Sequence, residues 1–160
     1  MVSTMTEKEA VALARSMLEK SGMNVFKGFP EVTPFVPGRR EFFRYRDLGM
    51  REASGGRARA NQLSAVAGMT EPTGWHFHLC EYQFVYSLAG KIVLEMEDGT
   101  VCTFVAGDAY FIPGGFRHNE IYLSPDRQSI EFSVPGEIGT VAVPRPEGLP
   151  EVLRPVSRQA

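Results

Sequence analysis

The chain has 160 residues, 43% of them hydrophobic, and a formal net charge of −2, which suits one globular domain with a real core. Without a block of like charge it lacks the basic footprint of a nucleic-acid binder or of a membrane-surface face, and no apolar run reaches the roughly 18 residues of a spanning helix. Two cysteines, Cys80 and Cys102, are too few for a disulfide framework, and the charged N-terminus has no continuous apolar stretch of the signal-peptide kind, so a reduced, cytoplasmic setting is expected.

The first expected element is a helix over residues 6–20. Thr6 and Glu9 have the spacing of a capping box, Ala10, Val11, Leu13, Ala14, Met17 and Leu18 form an apolar stripe, and Gly22 is a stop. The expectation is a helix laid on the outside of the domain. Residues 28–38, with Pro30, Pro34 and Pro37, read as an extended connector.

Strands are expected from 41 to 48 and from 57 to 66. After Gly68 short strands and turn signals recur every eight to twelve residues: 82–88, 91–96, 101–105, 109–112, 116–123, 129–134 and a last short one near 140–143. Asp98-Gly99 is a hairpin turn of the type that suits the twist of the flanking strands. So many strands with one helix imply an all-β barrel or sandwich. The chain divides into an N-terminal helix and connector (1–38), a β-barrel (39–145) and a loop-like tail (146–160). Tyr82, Phe84, Tyr86 and Leu88 alternate with Gln83, Val85 and Ser87. Both faces of this strand therefore need cover, from another layer, the N-terminal segment or a second subunit; a homodimer is expected.

His76 and His78, at i and i+2, lie on one face of a strand, about 7 Å apart along it. The third histidine of the chain, His118, follows a Pro113-Gly-Gly115 turn. By alternation from His118, Glu120 and Tyr122 face the same side, and Tyr122 could orient a substrate or donate a proton to it. Arg117 points the other way and suits a salt bridge. Arg57 and Arg59 could meet a carboxylate or sit at a solvated edge. Cys80 reads as a buried, inert thiol, Glu81 as the nearest carboxylate to the histidines, and Trp75 and Phe77 as packing behind them.

These two stretches resemble the cupin superfamily, whose fold is a double-sheet jelly roll or double-stranded β-helix. Its first motif is Gly, five residues, His-x-His, three or four residues, Glu, six residues, Gly; here His76, His78, Gln83 and Gly90 fit it. Its second is Gly, five residues, Pro-x-Gly, two residues, His, three residues, Asn; here Gly107, Pro113, Gly115 and His118 fit it. The match spans about residues 68–135, and its two independent spacing patterns use every histidine in the chain. The departures are Thr70 at the leading glycine, Tyr122 at the closing asparagine and Gln83 at the glutamate that is normally the fourth metal ligand. A Gln at that slot looks like a subgroup of small, single-domain bacterial cupins.

The resemblance implies a divalent transition metal (Fe, Mn, Ni, Cu or Zn) held by His76, His78 and His118, with Gln83 either ligating through its amide oxygen or holding water or substrate by hydrogen bonds. Without the glutamate the centre keeps one more positive charge, which favours a small anionic or chelating molecule as substrate, and it loses a carboxylate base. The catalytic candidates are Gln83 and Tyr122. The expected function is a metal-dependent, dioxygenase-like enzyme. The alternatives are a metal-assisted isomerase, lyase or decarboxylase, or a non-catalytic binding module.

Overall fold

The computed structural model describes residues 5–157; the ends of the expected terminal segments, 1–4 and 158–160, lie outside the described residues. Helix α1 spans Glu7–Ser21. It begins at the capping box: the Glu9 amide donates to Thr6 Oγ1, and the Thr6 amide donates to the Glu9 carboxylate at 2.8 Å. It ends at Gly22, whose φ of 63° is the left-handed conformation that glycine adopts without steric cost. No residue of α1 is buried, and Val11, Leu13, Met17 and Leu18 are all exposed. The helix is thus not packed against the strands by its apolar stripe; it is tied on by polar bonds, from the Arg57 guanidinium to the Ser21 carbonyl and from the Asn24 amide to the Ala53 carbonyl.

The strands are β1 (Val36–Pro37), β2 (Phe43–Asp47), β3 (Arg59–Ala65), β4 (His76–Leu79), β5 (Tyr82–Ala89), β6 (Lys91–Met96), β7 (Thr100–Val105), β8 (Ala109–Pro113), β9 (His118–Leu123), β10 (Gln128–Val134), β11 (Gly139–Ala142) and β12 (Arg154–Pro155). A one-turn helix, α2 (Met50–Ala53), joins β2 to β3. The strands form two six-stranded sheets, ordered β1-β2-β3-β10-β5-β8 and β11-β4-β9-β6-β7-β12. Two facing sheets give the expected jelly-roll architecture, with each inner face contributing to one interior. The tail is not all loop, because Arg154–Pro155 adds a parallel edge to β7.

Phe43, Leu63, Ile92, Leu94, Met96, Ile112 and Leu123 fill the apolar part of the interior. Ile92, Leu94 and Met96 alternate along β6 in strict period two, as a half-buried strand requires. Phe43 and Leu63 also border a cavity of about 440 Å³, so the apolar core is the floor of the functional site.

In β10 the alternation is reversed. Ser129, Glu131 and Ser133 point inwards, while Ile130, Phe132 and Val134 point out, where Phe132 meets Phe84 of β5. The outer face of this sheet is therefore the apolar one between β10, β5 and β8. Tyr82 stacks on Phe111 with ring centroids 5.1 Å apart, and Tyr86, Leu88 and Phe111 are exposed.

Candidate metal centre

Two local devices bring the histidines together. Strands β4 and β9 are adjacent and antiparallel, and His76 stands directly opposite His118 in the register. The Pro113-Gly114-Gly115 turn then sets the height of β9: the Gly114 amide donates to the Glu81 carbonyl at 2.9 Å and the Gly115 amide to the His78 carbonyl at 3.0 Å. A side chain at position 114 would put its Cβ 1.6 Å from the Cys80 carbonyl oxygen, and Gly115 has a φ of 80°. Both glycines of this turn are therefore needed by geometry, one for the close approach of two backbones and one for its conformation.

The three rings meet with centroids 4.4 Å apart for His76–His118 and 5.2 Å for the other two pairs, and one nitrogen from each lies within 4.8 Å of the others. The opposite nitrogens are occupied. His76 Nδ1 donates to the Gly74 carbonyl at 2.8 Å, His118 Nδ1 donates to the Phe116 carbonyl at 3.1 Å, and His78 Nδ1 lies 3.1 Å from the Thr140 hydroxyl. Donation from Nδ1 leaves the lone pair of Nε2 free, which is how proteins present histidine to a transition metal.

The rings are also neutral. Burial, then repulsion by His118 and His76, brings His78 down to about 3; burial and His76 bring His118 down to about 4; burial lowers His76 as well. Three uncharged, oriented nitrogen donors fit a divalent transition metal. Bound there, such an ion would supply Lewis-acid polarisation of a substrate oxygen.

The centre opens onto the cavity. On one side are His76, His78, Thr140 and Glu120; on the other, the inner face of the opposite sheet supplies Gln83, Arg59, Asn61, Glu131 and Tyr45. Register arranges that face in rows. Arg59, Ser133 and Gln83 are cross-strand neighbours in one row, and Asn61, Glu131 and Val85 in the next.

Two buried polar atoms in this region, Arg59 Nε and Ser133 Oγ, have no hydrogen-bond partner in the protein, and the fully buried Arg127 adds a second cation near the carboxyls. The two interior carboxyls offset those cations. Although each keeps some surface on the cavity, protein surrounds them: burial raises Glu120 to about 6, and burial reinforced by Glu120 raises Glu131 to about 7. Burial also pushes the Tyr45 hydroxyl far up, keeping it protonated. Arg40 lies at the rim, its guanidinium donating to the Thr73 carbonyl at 2.9 Å, with the exposed Arg39 beside it.

Of the expected site residues, His76, His78, His118 and Gln83 converge on this interior, Gln83 buried on β5 and lining the cavity. Tyr122 does not. The β6–β9 register slips so that Val93 faces Tyr122 and Leu94 faces Glu120, which leaves Ile121 as an extra residue. This bulge reverses the alternation. Glu120 stays inside and Leu123 returns to the core, but Tyr122 turns out to solvent, 43% exposed, with the Lys91 ammonium 4.7 Å from its ring centre.

Arg57 serves the end of α1 and does not line the cavity, whereas Arg59 does. Arg117 pairs with Glu97, Trp75 is buried, and burial raises the Cys80 thiol. Tyr45, Asn61, Arg39, Arg40 and Glu131 were not anticipated. For Glu131 a signal existed: Ser-Ile-Glu-Phe-Ser-Val alternates, but with its polar set turned inwards.

A family model described as "Cupin domain" matches residues 65–127. No curated protein sequence matches the chain. Among solved structures, the polyketide cyclase RemF from Streptomyces resistomycificus is 20% identical, with a TM-score of 0.60 over 78% of this chain and 89% of that one. The Streptomyces nucleoside dehydratase Pac13 is 14% identical, with a TM-score of 0.54 over 76% and 94%. An RmlC-like cupin from Shewanella frigidimarina is 17% identical, with a TM-score of 0.52 over 71% and 93%. At these identities the likeness is one of fold.

Proposed function

We propose that this chain is a cupin, on the domain model that matches residues 65–127 and the fold it shares with an RmlC-like cupin, and that it is a metal-dependent enzyme acting on a small, oxygen-bearing organic molecule, by metal-assisted proton transfer of the lyase, isomerase or dehydratase kind. The observation that carries this reading is the pairing of two chemistries in one cavity. Three neutral, oriented imidazoles lie on one side, and a carboxyl held near neutrality lies on the other. A group that titrates near the working pH can both take and give a proton. Two structural neighbours carry the names of enzymes, a polyketide cyclase and a nucleoside dehydratase.

The residues would divide the work as follows. His76, His78 and His118 hold the ion. Gln83 orients a substrate oxygen or a water by its amide, since it can do so without taking a proton. Arg39 and Arg40 at the rim favour an anionic group, and Asn61 and Tyr45 supply hydrogen bonds to hydroxyl or carbonyl oxygens inside.

A dioxygenase-type reaction is the second reading, supported by three imidazole donors, a set that suits redox-active Fe or Cu as well as Zn and leaves coordination positions for substrate and dioxygen. Reconstitution of metal-stripped protein with Zn, Mn, Fe, Ni or Cu, followed by turnover of 2-oxo acids, β-dicarbonyls and hydroxy ketones with and without dioxygen, separates the two. Turnover that persists anaerobically with Zn or Mn supports proton-transfer chemistry. Turnover that needs Fe and consumes dioxygen overturns it in favour of the oxygenase.

The homodimer belongs to the same proposal. Its support is the apolar outer face of Tyr82, Tyr86, Leu88 and Phe111, a surface that a second copy could cover without opposing like charges.

A further inference from the structure

We propose that Glu131 is the catalytic residue that carries the proton, working across the cavity from the histidines on a carbonyl compound with a C–H bond next to its carbonyl. This assignment rests on the metal-dependent proton-transfer reading above and deepens it by naming the group and the substrate class.

Place is the first argument. His76, His78 and His118 belong to the sheet that contains β4 and β9, while Glu131 is on β10 of the facing sheet, and both walls line one cavity. A substrate whose oxygen is held at the histidines therefore lies between them and the Glu131 carboxyl. Glu120 is placed differently. It shares the histidines' own sheet, two residues beyond His118 on the same strand, and so stands beside the ion's ligands rather than across from them.

Availability is the second. Neither Glu131 oxygen is among the buried atoms closed off from the cavity, and no described protein group donates a hydrogen bond to its side chain. A structural buried carboxylate is normally tied down by donors. This one has charges near it, Arg59 and Arg127 as cations and Glu120 as an anion, but no fixed bond to break before it accepts a proton. Burial, reinforced by Glu120, raises its pKa to about 7, so it can both lose and regain a proton near neutral pH, which suits a group that must cycle.

The third is the chemistry that Gln83 lacks. Gln83 lies in the row next to Glu131, two residues from Val85 along β5, and an amide cannot act as the base. The carboxyl that the ligand slot does not carry is supplied one row away by β10.

The step balances without an oxidant or reductant. The Glu131 carboxylate takes the proton from the carbon next to the carbonyl; the C–H pair becomes a C=C bond, and the carbonyl π pair moves to the oxygen facing the histidines. Glu131 then returns a proton to the same carbon, which is exchange when that proton has come from solvent. Where the substrate carries a β-hydroxyl, the pair on oxygen instead re-forms the carbonyl, and the C=C pair moves to the bond between the α and β carbons. The bond from the β carbon to its oxygen breaks, and Glu131 gives its proton to the departing oxygen, which leaves as water. Either way Glu131 is a carboxylate again.

The test uses the whole protein loaded with Zn or Mn in heavy water, with pyruvate, 2-oxobutanoate and dihydroxyacetone as probes. Deuterium entry next to the carbonyl is followed by proton NMR, probe affinity by calorimetry and metal content by elemental analysis. Wild-type protein is expected to catalyse exchange with at least one probe. Glu131→Gln should slow it by about 100-fold, with metal content unchanged and probe affinity within about threefold, and Glu131→Asp should fall between the two. Exchange by Glu131→Gln within about threefold of wild type overturns the assignment while leaving the metal-enzyme reading intact. Absence of exchange from metal-loaded wild type with every probe overturns the assignment and the substrate class together. Failure of wild type to take up metal at all is the distinct result that removes the reading beneath it.

Discussion

His76 and His118 face each other across the β4–β9 pair, Cα opposite Cα, with their ring centroids 4.4 Å apart. Two residues 42 positions apart in the chain thus become cross-strand neighbours, and each ring is fixed by a backbone carbonyl within two residues of itself. If this pair with His78 holds an ion, replacing either of the pair by alanine removes one of three donors. His76→Ala and His118→Ala are each expected to weaken metal affinity by about 100-fold or more, and the double variant should carry no stoichiometric metal. Elemental analysis of untagged protein checks this; full metal content in the double variant would move the binding site elsewhere.

The depressed histidine values give a pH signature for metal uptake. Three ordinary histidines with pKa of about 6.5 would cost roughly tenfold in affinity apiece at pH 5.5, because each proton must be displaced. Here burial holds His78 at about 3 and His118 at about 4, so neither carries a proton to displace at that pH. Affinity for Zn is expected to change by less than about tenfold between pH 7.5 and pH 5.5, then to fall steeply as the pH approaches 4. Competition titration with a chelator of known pH dependence measures it.

Glu131 has the opposite linkage. Its folded value of about 7 lies above its ordinary 4.5, so the folded state holds the proton more tightly than the unfolded chain. The stability this contributes is complete below pH 4.5 and is lost as the pH rises through 7. Glu131→Gln cannot ionise and escapes that loss. Relative to wild type, the metal-free variant is expected to gain about 1–3 kcal/mol in unfolding free energy between pH 4.5 and pH 8. Urea denaturation at the two pH values reads the difference, and a constant offset would mean that the carboxyl is not desolvated.

Because the β9 bulge turns Tyr122 out over Lys91, its hydroxyl has no route to the cavity. Tyr122→Phe is expected to leave metal content unchanged and turnover within about twofold of wild type. Tyr45→Phe, which removes a protonated donor lining the cavity, should weaken probe binding by about 5- to 20-fold, the range for one lost hydrogen bond to a ligand. Running the two variants side by side tests the change of face directly.

The exposed ring of Phe111, stacked on Tyr82, lies within the surface assigned to a second copy. A charge there would be buried and unpaired on both sides of a two-fold interface. Phe111→Asp is expected to convert a dimer to a monomer at micromolar concentration, as seen by light scattering after gel filtration, with its metal content unchanged. A wild-type protein that is monomeric up to about 100 μM would remove the dimer.

Much of the architecture was legible in the sequence because it is written in short-range signals. The Thr6–Glu9 capping box, the Gly22 stop, the Asp98-Gly99 turn and the alternation along Lys91–Met96 each act within a few residues. The histidines were legible for a related reason: His76 and His78 share a strand face by period alone, and His118 follows a turn whose two glycines are required, Gly114 by backbone approach and Gly115 by its positive φ. Gln83 was legible only through the resemblance to the cupin motif, and it lines the same cavity from the facing sheet.

Three features needed the tertiary structure. Period two holds only while pairing is regular, and one extra residue at Ile121, defined by a neighbouring strand, carried Tyr122 to the opposite side. An amphipathic stripe says that a helix has an apolar side, not what covers it, and α1 leaves that side open. The interior opposite the histidines is made of single residues from separate strands, Tyr45, Arg59, Asn61 and Glu131, which only sheet order and register bring to one place. The sequence by itself therefore determined where a metal could be held, through local spacing. The protonation of the groups facing it was decided by the fold, because burial and the company of other charges are properties of the assembled interior alone.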